Sequence, residues 1–103
     1  MGYKVKLKTG FFETTLYEIS IFDKQIRLST INTDQKGLII IANQDLISVT
    51  LFNHRHPEIE IQTYDRNIRG TFVQEPDFRD LFYLLKDNFD KEIIYEGGNN
   101  KDD

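Results

Sequence analysis

The sequence predicts a mainly β domain: seven antiparallel strands in a partly open barrel or sandwich, capped by one C-terminal amphipathic helix. Three observations lead there. Apolar and polar residues alternate in short runs through the first three quarters of the chain, as in strands with one buried face. Only one stretch, Glu75 to Phe89, has helical spacing, with Phe78, Leu81, Phe82, Leu85 and Phe89 falling on a single stripe. With 103 residues and no recognisable linker or repeat, the chain makes one domain, large enough to bury a core without disulfides.

Taken in order, Tyr3 to Lys8 alternates strictly, with Tyr3, Val5 and Leu7 on one face and Lys4, Lys6 and Lys8 on the other. Thr9-Gly10 turns the chain into Phe11-Phe12. Leu16–Phe22 and Gln25–Ile31 flank Asp23-Lys24, which predicts a hairpin with a two-residue turn, although the usual glycine is absent and the turn type stays open. After the polar loop Asn32–Gly37, the run Leu38-Ile39-Ile40-Ile41 is apolar on both faces, as a strand covered on both sides would be. Leu46–Phe52 alternates again, with Ile47, Val49 and Leu51 expected inward, before the loop Asn53–Pro57. Glu58–Tyr64 and Ile68–Val73 complete the seven strands, with Ile59, Ile61, Ile68 and Phe72 inward. In the helix, Pro76 suits the first turn, and Asp77, Asp80, Lys86 and Lys91 complement the dipole. The domain is expected to span residues 1–94, followed by a disordered polar tail over 95–103.

Composition narrows the function classes. There are no cysteines, which excludes thiolate metal sites, disulfides and a cysteine nucleophile. The longest apolar run, Leu38–Ala42, is far too short for a helical membrane span, and a cytoplasmic protein is expected. The formal net charge of −4 is unevenly spread: residues 1–74 carry nine basic and eight acidic side chains, residues 75–103 four and nine. No basic stripe could hold a phosphate backbone, so nucleic acid is not an expected partner.

The run from Leu16 to Ser29 (strand, short turn, strand), Gly37 to Val49 with its Asp45-Leu46-Ile47-Ser48-Val49 sequence, and Ile59–Asp65 followed by Phe72 and the helix together resemble the pleckstrin-homology (PH) superfold. The rhythm is most similar to its GRAM-type and bacterial PH-like members, over roughly residues 3–91. In phosphoinositide-binding relatives, basic residues late in the first strand and early in the second hold the headgroup. The resemblance therefore implicates Lys6 and Lys8, with Lys4 beside them. The second arm departs from the pattern, because Glu13 to Phe22 contains two glutamates and no lysine or arginine. PH-like relatives also dock peptides between the helix and the fifth strand, which here implies Ile47, Val49, Leu51 and Tyr83.

Each candidate has a purely structural explanation beside the functional one. The lysines also serve as a solvated face that discourages edge pairing. Phe11 could dip into a membrane or simply pack in the core. His54 and His56 have metal-ligand spacing, yet only Glu58 is at hand as a third ligand, and no metal, cofactor or catalytic residue is expected. Tyr83 falls outside the apolar stripe, where an exposed ring can anchor a partner chain. The expected function is a non-enzymatic adaptor module that docks a protein or peptide, with self-assembly through an exposed strand edge as part of that expectation. The alternative is a peripheral membrane module that binds anionic lipid through Lys4, Lys6, Lys8 and Phe11.

Overall fold

The structure, a computed structural model, describes residues 2–8, 13–31 and 37–97. Its strands are β1 (Tyr3–Lys8), β2 (Thr14–Phe22), β3 (Gln25–Thr30), β4 (Leu38–Ala42), β5 (Leu46–Asn53), β6 (Glu58–Thr63), β7 (Asn67–Phe72) and β8 (Glu92–Gly97), and helix α1 (Phe78–Asn88) precedes β8. All eight lie in one sheet, ordered β4-β3-β2-β1-β7-β6-β5-β8. Neighbours are antiparallel except β5 and β8, which the intervening helix allows to run parallel. The sheet does not close, leaving β4 and β8 as its edges.

Alternation puts one face of each strand inside. Val5, Leu7, Ile19, Ile21, Ile26, Leu28, Ile41, Val49, Leu51, Ile59, Ile61 and Phe72 meet Phe78, Leu81, Leu85 and Phe89 of α1 in a single core. The helix packs on β2, β5 and β8, covering the open side of the curled sheet. Between Ile68 and Phe72, Gly70 stands opposite Leu7 of β1. A Cβ there would lie 2.7 Å from Leu7 Cδ2 and 3.3 Å from Val5 Cβ, so any larger residue would force the Leu7 side chain to give way.

The Asp23-Lys24 turn has φ of 53° and 58°, both positive, which identifies it as type I′, the form whose twist matches a two-residue hairpin. At the N-terminus of α1, the Asp77 carboxylate accepts the Asp80 N–H at 3.1 Å as the cap, so Pro76 sits just outside the helix rather than in its first turn. Phe89, at the C-cap, is extended and donates its N–H to Leu85 O.

Four expectations are corrected. Among the described residues the strands number eight, not seven. Residues 95–97, expected in a polar tail, are the end of β8; the remaining tail residues 98–103 lie outside the described residues. β4 is covered on one face only: Ile39 and Ile41 point inward while Leu38 and Ile40 are exposed, because β4 is an edge with nothing over its outer surface. Ile47 is exposed, because the ladder shifts register between Leu46 and Ser48. That bulge sends Leu46 inward in its place, and Lys91 Nζ donates to the Leu46 carbonyl at 2.8 Å.

Candidate functional site

The sequence points to two surfaces, and the structure treats them differently. On the outer face of β1, Lys4, Lys6 and Lys8 are all exposed, with Lys4 opposite Glu18 of β2 and Lys6 between Leu16 of β2 and Thr71 of β7. Lys6 and Lys8 line a shallow depression with Thr14, Glu58, Arg69 and Thr71. Among the described residues, the one further cation lining it is already committed. Arg69 donates from Nε to Glu58 at 2.9 Å, lies 3.9 Å from Glu60, and stacks over Phe52 at 4.5 Å from the ring centroid. These carboxylates hold the guanidinium pKa above its ordinary value, chiefly through the hydrogen bond to Glu58. The face is thus a mixture of both signs, whereas a multiply charged headgroup calls for converging cations. Phe11, expected beside the lysines, lies outside the described residues.

The residues implicated in peptide docking are separated. Val49 and Leu51 are fully buried in the core, and Ile47 stands out on the opposite face of β5. The free edge of β5, where a partner strand was expected to pair, is taken by the chain itself: β8 runs alongside from Ser48↔Glu92 to Asn53↔Gly97. Only Tyr83 remains available, 55% exposed on the outer side of α1.

Tyr83 belongs to a different groove. Phe78, Arg79, Phe82 and Tyr83 of α1 and Tyr95 of β8 line a shallow depression of about 380 Å³. Helical spacing puts Arg79 and Tyr83 one turn apart on the outer side, while Phe78 and Phe82 lie on the core side of the same turns. Edge-to-face contacts fix the rings: Phe82 to Tyr83 with centroids 5.6 Å apart, Phe78 to Tyr95 at 5.9 Å, and Phe78 to Phe72 at 6.0 Å. Tyr3 continues the series against Phe72 at 6.5 Å. Asn53 Nδ2 donates to the Tyr95 hydroxyl at 2.6 Å, which holds the far wall in place. Gly97 stands so close to the Tyr95 ring that a Cβ would come within 2.7 Å of it. The groove is therefore a pre-formed aromatic platform with one cation, Arg79, at its rim, beside the unpaired outer edge of β8.

Four of its members were not foreseen as site residues: Phe78 and Phe82, assigned to the core stripe, Arg79, given no role, and Tyr95, assigned to the tail. The run Ile93-Ile94-Tyr95 carries the β-branched and aromatic signature of a strand, and that signal could have located Tyr95. His54 and His56 lie exposed in the β5–β6 loop, with the His54 ring 5.9 Å from Phe52. Among the described residues, no group of three or more histidine, aspartate or glutamate side chains is arranged to hold a metal ion. No described helix is long and apolar enough to cross a membrane. No protein-family model matches the chain, and no curated protein matches it in sequence.

Proposed function

We propose that this chain is a non-enzymatic binding module of the PH-like class, and that it docks an extended segment of a protein partner in the aromatic groove between α1 and β8. The class is supported by the order β4-β3-β2-β1-β7-β6-β5, two antiparallel meanders joined through β1 and β7, with α1 over the open side. The docking is supported by one observation above the others. Tyr83 and Tyr95 are large exposed rings converging on one depression, at the end of the sheet where α1 stands beside the edge strand β8. Main-chain pairing along β8 supplies affinity without regard to sequence, and the ring-lined groove selects an aromatic or large aliphatic anchor. Compared with docking on the fifth strand, the site has moved outward by one strand, because β8 fills the inner position.

The test is selection of a phage-displayed random peptide library on the whole chain. Enriched peptides should share an aromatic or large aliphatic residue and lose about tenfold or more in affinity, about 1.4 kcal/mol, on the Tyr83→Ala variant. That variant should melt close to wild type, because the ring lies outside the core. Enriched peptides that bind Tyr83→Ala and wild type equally would move the site elsewhere.

A further inference from the structure

The opposite edge of the sheet carries a second, independent surface. Thr30 N–H donates to Gly37 O at 3.0 Å, and Asn43 N–H donates to Lys24 O at 3.1 Å, so these two pairs bracket the β3–β4 ladder. In an antiparallel ladder hydrogen-bonded pairs recur at every second residue. Ile39 and Ile41 therefore spend their main-chain groups on β3, Leu38 and Ile40 turn theirs outward from the sheet, and Ala42 turns its N–H outward while its carbonyl starts the 3-10 turn Asn43–Asp45.

Nothing in this strand blunts the edge. Leu38–Ala42 contains no charge, proline or bulge. Leu38 is 55% and Ile40 49% exposed on the outer face. Beside Ile40, on β3, Arg27 lies over exposed Phe22 at 5.6 Å, and its buried Nε has no acceptor. Along the edge runs an open groove of about 370 Å³ between Ile39–Ile41 and the β6–β7 turn, where Tyr64 is largely exposed.

From this arrangement we propose that β4 is the seam of a homodimer, two copies pairing it antiparallel about a twofold axis at Ile40. The register follows from the geometry. With Ile40 opposite its own copy, Leu38 faces Ala42 of the second chain and Ala42 faces its Leu38, so the outward groups of Ile40 pair with those of its copy and the Ala42 N–H meets the Leu38 carbonyl. A twofold placed at Leu38 or Ala42 would leave part of the edge unpaired. The same register sets a large side chain against a small one on the outer face and stacks Ile40 on Ile40. The strand is complementary to itself and carries no charge of its own.

Sedimentation of the full chain over a concentration series tests the seam. Wild type should reach twice the chain mass, and Ile40→Lys should remain monomeric with an unchanged far-UV circular dichroism spectrum. Wild type that stays monomeric at its highest soluble concentration overturns the proposal, as does an Ile40→Lys variant that still dimerises. The chain has no cysteine, so cross-linking reads the register directly. Ile40→Cys places two Cα atoms about 5.5 Å apart, within the roughly 4.4–6.8 Å that a disulfide spans, and should oxidise to a covalent dimer. Leu38→Cys alone leaves its copies about 14 Å apart at ~3.4 Å per residue and should not cross-link. Efficient cross-linking of Leu38→Cys with none at Ile40→Cys would overturn the register.

Discussion

The main-chain N–H of Lys24 donates to Oδ1 of Asn88 at 3.0 Å, joining the β2–β3 turn to the last turn of a helix 64 positions further along the chain. Asn88 uses its other end as well: Nδ2 donates to Leu84 O at 2.9 Å, so the side chain is held by its own helix while it receives the turn. On the far side of the turn, Lys24 O accepts the Asn43 N–H, and the Asn43 side chain in turn accepts from Asp90 N–H. A lysine in the left-handed region is unfavourable by about 1–2 kcal/mol. Here the surrounding bonds over-determine it.

This relationship gives opposite expectations for its two members. Asn88→Ala should destabilise the fold by about 1 kcal/mol in urea unfolding, the net worth of an ordinary hydrogen bond. Lys24→Gly keeps the main-chain N–H, relieves the left-handed strain and creates the Asp-Gly pair favoured in type I′ turns, so it should stabilise by up to about 1 kcal/mol. A Lys24→Gly variant less stable than wild type would show that the lysine side chain contributes something beyond its backbone.

The helix can be probed at two positions that the sequence pattern makes equivalent. Leu85 is fully buried, whereas Phe82 is only partly so, since its ring also lines the aromatic groove. Leu85→Ala should therefore cost about 2–5 kcal/mol and Phe82→Ala distinctly less, despite the larger group removed. Equal losses would mean that the groove wall is as tightly packed as the core.

How far the sequence discloses this molecule depends on what each pattern measures. Period-two alternation reports which face of a strand is buried, so Val5, Leu7, Ile59 and Ile61 were legible. It does not report which strands stand at an edge, so Leu38–Ile41 looked doubly covered when only one of its faces is. Nor does it register a bulge: Leu46-Ile47-Ser48-Val49 reads as regular alternation until one residue slips, which sends Ile47 outward. The helical stripe identified Tyr83 as exposed because 3.6-residue periodicity fixes orientation within one helix. What lies beside Tyr83 is a matter of topology. The parallel return of β8 along β5 depends on the helix acting as a crossover, and no local pattern encodes that pairing.

β8 provides a direct check of this point. Ile93 is buried and stands opposite Val49 across the parallel ladder. Ile93→Ala should cost about 2–4 kcal/mol in chemical unfolding, within the range for buried aliphatic truncations. An Ile93 that followed the helix without pairing to β5 would cost little, so the same measurement separates an eight-stranded sheet from a seven-stranded one.

Tyr3 links the aromatic series to pH. Burial, followed by the nearby carboxylates of Asp80 and Asp77, raises its phenol above the usual 10.0. The folded state thus holds this proton after the unfolded chain has released it. The resulting stability is fully present below about pH 10 and is lost as pH rises through the raised value. Unfolding free energy should begin to fall near pH 10, and Tyr3→Phe, which has no proton to lose, should show a shallower decline. Identical alkaline limbs in the two proteins would rule Tyr3 out as a contributor.

The lysine face gives the last expectation. Lys4, Lys6 and Lys8 offer three exposed cations, each worth about 1 kcal/mol at most near an anionic membrane surface. Glu18, Glu58 and Glu60 share that outer surface, and Arg69 is already engaged by the last two. Such attraction is long-ranged and screened, so it should fade as salt approaches physiological strength, where the Debye length falls to about 8 Å. Vesicles containing phosphatidylserine should therefore retain wild type weakly at low salt and hardly at all at physiological salt, and the Lys4, Lys6, Lys8 triple glutamine variant should abolish retention in both. Binding that survives physiological salt and distinguishes one phosphoinositide from another would require a converging pocket that these residues do not form. It would shift the functional centre from the groove beside Tyr83 to the outer face of β1.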